Sequence, residues 1–331
     1  MSTPRPRLSE PEIDTATLAQ PPLEDTIFEV SNTLRYLRES NRRGARPEVY
    51  SAFPRREHVR VAIDHFARAL FPRRLGGLNT SAEQEDSFVF RELEAGLSFL
   101  EGEIAAEVGY WEAQATSPFE PDHAAEITRF FCSSLPKVRE LVDSDIEAAF
   151  FGDPSVRTIE EILVSYPGAQ AILYHRLAHE LHKIGAPIVA RMIAEAANER
   201  TGIDIHPGAT IGSHFFIDHG SGVVIGETSV IGSRVRIYQQ VTLGARAPDG
   251  LGGRRPLTAY ERHPVIEDDV VIYAGATILG RVTIGARSII GGNVWLLDDV
   301  AADSIVALPD PRRLAGRDAA EERNRLFGGP D

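Results

Sequence analysis

One cysteine, two methionines and two tryptophans stand in 331 residues. A lone thiol, Cys132, forms no internal disulfide, so the chain is not a cross-linked extracellular scaffold; beside Phe131 it reads as a small buried hydrophobe. Long apolar runs are missing too. No stretch approaches the roughly 18 residues that cross a bilayer, and the opening MSTPRPRLSE lacks the apolar centre of a signal peptide. Both absences point to the cytoplasm. Positive charge is in the minority, 35 Lys and Arg against 48 Asp and Glu, and a net charge of −13 repels phosphate backbones. Nucleic acid is excluded as a partner. Neither GxGxxG nor GxxxxGK occurs, so no phosphate-cradling loop is in view.

Glycine is scarce only at first: 9 of the 28 fall in residues 1–200 and 19 in residues 201–331. Two architectures therefore share the chain. Prolines 4, 6, 11, 21 and 22 mark residues 1–22 as a disordered tail. Helical spacing then begins with Ile27, Val30, Leu34 and Leu37 on one face, and continues with Val61, Ile63, Phe66 and Leu70 before Pro72. Longer helices are expected over 88–110 and 124–151, the latter interrupted or restarted at Pro136. Asp153-Pro154-Ser155 has the look of a helix start, and 168–184 and 187–200 complete a helical domain spanning 23–200.

Beyond Thr201 a branched aliphatic residue returns every six positions: Ile205, Ile211, Ile217, then Ile225, Ile231, Ile237, Leu243, and after a gap Ile266, Ile272, Ile278, Ile284, Ile290, Leu296. Thirteen units at this step fit a solenoid whose repeats are a short strand and a corner, three of them closing one coil of a triangular prism of parallel strands. Two irregularities break the step. Eight residues separate Ile217 from Ile225, and 23 separate Leu243 from Ile266. Breaks in a regular scaffold are where chemistry is expected.

The first break holds Asp218-His219-Gly220-Ser221-Gly222, preceded by Asp204-Ile205-His206-Pro207; the second ends in Glu261-Arg262-His263-Pro264. With DIHPGATIG at 204–212, DHGSGVVIGET at 218–228, QQVTLG at 239–244 and RHPVI at 262–266, the chain resembles the serine O-acetyltransferases of the hexapeptide acyltransferase superfamily, closely over about 150–300. The resemblance implies an α+β fold: an N-terminal all-helical domain, then a left-handed parallel β-helix over 201–308 with an extruded loop at 245–262, and a C-terminal tail at 309–331.

It also implies transfer of an acetyl group from acetyl-CoA to the hydroxyl of L-serine. A base must take the hydroxyl proton, and a neutral imidazole suits this near neutral pH. The resemblance assigns that part to His219 with Asp204 orienting it, the substrate ammonium to Asp153 and Asp218, the carboxylate to Arg262, and a contact near the developing oxyanion to His263. Backbone groups at Gly244, Ala245 and Ala274, with Arg246, are the expected acetyl-CoA contacts; Arg254, Arg255, Arg281 and Arg287 read as solvated surface charges. Feedback inhibition by L-cysteine is implied. The ending Leu326-Phe327-Gly328-Gly329-Pro330-Asp331 departs from the isoleucine-ended tail through which many of the family bind cysteine synthase.

Register arithmetic adds an expectation of its own. Taking Ile205, Ile225 and Leu243 as face one puts His219 at the edge between faces three and one, and His263 at the edge between faces one and two. The two can then meet only across neighbouring prisms, which predicts a homotrimer; the family commonly pairs two trimers. Other readings exist. His214 and His219, five apart, resemble zinc ligands of γ-class carbonic anhydrases, but the upstream histidine that class uses is missing, and no metal is expected. His175, His179 and His182 share a helix face that reads as a polar surface against the prism or a neighbour. A sugar or homoserine acceptor, or a non-catalytic scaffold, completes the alternatives.

Overall fold

The computed structural model describes residues 22–42, 52–79, 81–246 and 260–309. The tails read over 1–22 and 309–331, apart from Pro22 and Pro309, lie outside the described residues, as do Arg254, Arg255 and the middle of the 245–262 segment. Contacts divide the chain into two units, Met1–Tyr50 and Ser51–Asp331. In the first, α1 (Leu23–Arg42) carries Glu24 and Asp25 in its first turn, where the helix dipole favours acid. Its Ile27, Val30, Leu34 and Leu37 are exposed.

The second unit begins with six helices: α2 (Arg56–Leu70), α3 (Ala82–Glu112), α4 (His123–Gly152), α5 (Ile159–Ser165), α6 (Pro167–Lys183) and α7 (Pro187–Thr201). Pro167 and Pro187 open their helices at the turn where a missing N–H costs nothing. Ile63, Phe66, Leu100, Phe131, Leu177 and Ile193 fill their shared core. Two local expectations are corrected. Pro136 does not interrupt α4, because Leu135 and Val138 on either side are anchored in that core. Nor does a helix start at Asp153, which instead ends α4 and accepts the Ser155 N–H at 2.8 Å. The next helix waits for Thr158, whose hydroxyl accepts the Glu161 N–H at 3.2 Å. Among the described residues, no helix is long and apolar enough to cross a membrane.

From Asp204, among the described residues, the chain forms short strands that pair only in parallel. Ile205, Ile225, Leu243, Ile278 and Leu296 stack on face one, Ile211, Ile231, Ile266 and Ile284 on face two, and Ile217, Ile237, Ile272 and Ile290 on face three. These side chains form a second core, separate from that of the helices. The 23-residue step leaves register intact, since Ile266 pairs with Ile231 as the hexapeptide count requires. Past Leu296 the prism gains the bridge from Val300 to Ile284 and a last strand, Ile305–Val306, on face three.

Corners follow a rule. At the corner from face two to three the left-handed residues are His214, Arg234, Asp269, Arg287 and Asp303, with φ of 57° to 62°; from three to one, His219 and Gly220 of the eight-residue step aside, they are Gly222, Gln240, Gly275 and Asn293. Each stands three residues before an inward aliphatic. At the remaining corner, the equivalent Gly208, Thr228, His263 and Arg281 do not have positive φ. Among the described residues, this third corner turns without the left-handed conformation except at Gly280, one place before Arg281, where φ is 95°.

Helices α4 and α6 dock on the first coil through one buried pair. Arg176 donates through Nε and Nη2 to Asp145 at 3.1 Å, and also to the carbonyls of Ile211 and Gly212, the latter at 2.6 Å. The Phe215 N–H completes Asp145 at 2.8 Å.

Candidate active site

The eight-residue step from Ile217 to Ile225 is a bulge at the corner between faces three and one. Within it Asp218 is buried and accepts Arg236 Nη2. Arg236 in turn donates Nη1 to the Gly152 carbonyl at 2.8 Å, with its guanidinium over the rings of Phe216 and Tyr238 at 4.9 and 4.7 Å. That arginine ties the bulge to the end of α4, where Asp153 stands. Both Asp153 oxygens are held, one by the Ser155 N–H and the other by the Tyr166 hydroxyl at 2.6 Å. The Tyr166 bond, followed by Ser155, keeps this carboxyl below its ordinary range.

His219 lies beside them at φ 60°, its ring 73% exposed and Nε2 3.9 Å from Asp218 Oδ1. Asp204 sits under the same bulge: its N–H bonds the Val223 carbonyl at 2.9 Å, and the Gly222 N–H bonds Gly202 O at 2.8 Å. Burial, then the neighbouring charge of Glu195, raises the Asp204 carboxyl, with Arg191 at 3.9 Å opposing. Among the described residues, no hydrogen bond or ion pair joins Asp204 to His219.

Arg262 and His263 occupy the corner between faces one and two, as the register arithmetic expects. Thr228, one coil earlier, holds both: its hydroxyl oxygen accepts the N–H groups of Arg262 and His263 at 2.9 and 3.1 Å. The Thr228 N–H and hydroxyl face His263 Nδ1 at 3.1 and 2.9 Å. With Nδ1 accepting the backbone N–H, neutral His263 carries its proton on Nε2 and presents a donor there. Gly226 makes room for that ring, since a Cβ at 226 would stand 2.1 Å from Nε2. Arg262 pairs with Glu227 through Nη2.

Burial, with the positive charge of Arg262 next, lowers the His263 imidazole to about 4. Because the unfolded side chain titrates near 6.5, the unfolded chain takes up the proton first, and His263 withdraws its stabilising contribution as pH falls from about 6.5 toward 4. The stability difference between the wild type and His263→Gln is therefore expected to shrink over that interval, measured by denaturant unfolding. A pH-independent difference would contradict it.

Of the expected acetyl-CoA contacts, Ala245 and Arg246 line an open groove of about 670 Å³ with Tyr260, Arg262, Gly280 and Trp295. Gly244, the last residue of the strand Thr242–Gly244, precedes Ala245 in the chain. Ala274 lies at the corner between faces three and one, its carbonyl taken by the Asn293 N–H. Arg236, Tyr166, Gly226, Glu227 and Thr228 went unassigned in the sequence. For Thr228 a signal existed: like His263, it stands three residues before an inward isoleucine, which stacks the two on adjacent coils.

A model of the bacterial transferase hexapeptide family (six repeats) matches residues 263–298. The plasmid serine acetyltransferase of Synechococcus elongatus is 49% identical over 261 residues, spanning 77% of this chain and 81% of that one. This chain belongs to the serine acetyltransferase family. Among solved serine acetyltransferases, isoform 3 of Entamoeba histolytica in complex with cysteine superposes with a TM-score of 0.66 at 34% identity, over 80% of this chain and 87% of that one. The Neisseria gonorrhoeae serine acetyltransferase in complex with serine gives 0.50 at 27%, over 76% and 96%.

Proposed function

We propose that the protein transfers the acetyl group of acetyl-CoA to the hydroxyl of L-serine, giving O-acetyl-L-serine and CoA. One observation carries the reading: within the serine acetyltransferase family, this chain sets His219 beside Asp218 at one corner of its prism, with Arg236 linking Asp218 to Gly152 next to Asp153, and Arg262 beside a donor-bearing His263 at another corner. His219 takes the serine proton as the oxygen attacks the thioester carbon, and returns it to the leaving sulfur as the carbon–sulfur bond breaks. Asp204, beneath the bulge, orients the imidazole and stabilises its charged form. Asp153 and Asp218 receive the ammonium group and Arg262 the carboxylate, in the bidentate geometry a guanidinium favours. His263 Nε2–H faces the oxyanion.

The groove beside Arg246 takes the pantetheine arm. Since the two edges are different corners of one chain, sites form between neighbouring prisms of a homotrimer, and sedimentation of an active monomer would overturn this. A left-handed coil with residues 245–262 looping out of it, helical residues 23–200 and L-cysteine as a competing occupant of the serine contacts belong to the same reading. Thiol release from acetyl-CoA with serine, homoserine or a sugar as acceptor tests it; turnover with serine below that with the others would refute it.

Thr228→Val leaves the N–H groups of Arg262 and His263 without their acceptor and loosens the turn that positions both side chains, while the N–H of residue 228 still fixes the His263 tautomer. An expected loss of about tenfold to a hundredfold in kcat/KM follows, largely restored in Thr228→Ser. Steady-state kinetics of the two variants check it.

A further inference from the structure

Above Arg262, the same corner carries three groups the acetyl transfer does not use. His206 follows the first strand of face one, Glu227 occupies the next coil, and His182 reaches in from the last turn of α6. One donor atom from each lies within 4.8 Å of the other two. The rings of His182 and His206 meet edge to face at 5.9 Å. Beneath them Gly208 is the floor: a Cβ there would stand 3.2 Å from His182 Cε1 and 3.1 Å from Glu227 Cγ.

We propose that His182, His206 and Glu227 form a binding site for a divalent transition-metal cation of the Zn²⁺, Co²⁺ or Ni²⁺ type. Two imidazoles and one carboxylate suit borderline cations, whereas Mg²⁺ and Ca²⁺ require more oxygen ligands. Ligand atoms about 2.1 Å from a tetrahedral ion stand roughly 3.4 Å apart, a spacing that small side-chain rotations reach from the present one. Three protein ligands leave an outward position for water.

Binding competes with two contacts. Whichever ring nitrogen of His206 takes the cation, Nδ1 no longer accepts the Gly208 N–H that it holds at 3.0 Å. Arg262 already holds one oxygen of Glu227, so its positive charge opposes a cation on the same carboxylate. The cation and Arg262 are thus rivals for one carboxylate, and the rivalry gives the site a signature that a stray surface histidine pair lacks.

The test is a Co²⁺ titration of tag-free, chelator-treated full-length protein, followed by visible absorption, with stoichiometry from equilibrium dialysis and displacement by Zn²⁺. The expected result is one ion per chain, weakened about tenfold or more in His182→Ala and in Glu227→Gln, and tightened in Arg262→Ala. His182 is a half-buried helix residue, so alanine is tolerated there; circular dichroism checks the fold of each variant, and Glu227→Gln carries the test if His182→Ala fails it. The same affinity in wild type and the folded variant, or no saturation at one ion per chain, would overturn the proposal. Binding is read without turnover, so a failed acetyl-transfer assay leaves it standing.

Discussion

His219→Ala is expected to lower kcat by about 10²- to 10⁴-fold, the range for removing a general base. The ring is 73% exposed and its removal opens no core cavity, so folding and assembly should be unchanged. Alanine keeps the Cβ that histidine already holds at φ 60°, so the backbone is no more strained in the variant than in the wild type. Added imidazole should restore part of the rate by supplying the missing base from solution. Turnover retained at wild-type level would remove His219 from the reaction. A loss accompanied by dissociation in the ultracentrifuge would reassign it to assembly.

Asp145→Ala is expected to cost about 3–5 kcal/mol of stability, read by denaturant unfolding, and to lower Tm by roughly 10 °C. Asp145 and Arg176 are 2% and 5% exposed. Burial pushes the Asp145 carboxyl up to about 7, against the pull of Arg176 and of the Phe215 N–H. A pair so thoroughly desolvated gains little over apolar residues of the same volume. Removing one member, however, strands the other's charge between α6 and the first coil. The double variant Asp145→Leu/Arg176→Met should therefore recover most of the loss, despite lacking both charges. Additive losses in the double variant would mean that the hydrogen bonds from Arg176 to Ile211 and Gly212, not the charge pair, hold the helices on the prism.

Much of the prism was legible because its code is local. A branched aliphatic every six residues names the inward side chains directly, and counting them assigns His219 and His263 to different corners before any contact is known. The helices were less so. Asp153-Pro154-Ser155 carries the residues of a helix start, yet the chain spends that aspartate on an Asx turn, since α4 has already run to Gly152 under the pull of its buried face. Pro136 was misread for a related reason: propensity describes an isolated helix, whereas Leu135 and Val138 fix this one in a core. Within the site, the residues that bear chemistry showed in their motifs, and those that hold them did not. Arg236 reaches Asp218 across 18 positions and Gly152 across 84; Thr228 reaches His263 across 35. Such distances exceed any spacing rule except the coil itself.

At two of its three corners, each coil needs a residue content with left-handed backbone, which limits what can stand there. At the third, among the described residues, only Gly280 takes the left-handed form, so positions 206, 227, 228, 262 and 263 answer to function rather than to backbone geometry. A library randomised at 206, 227, 228, 262 and 263 should yield folded proteins at far higher frequency than one randomised at 214, 234, 240, 269 and 287. For an engineer this corner is the socket of the scaffold: side chains can be exchanged, or a longer segment spliced between Arg246 and Tyr260, without rewinding the coil, since Ile266 keeps its register with Ile231.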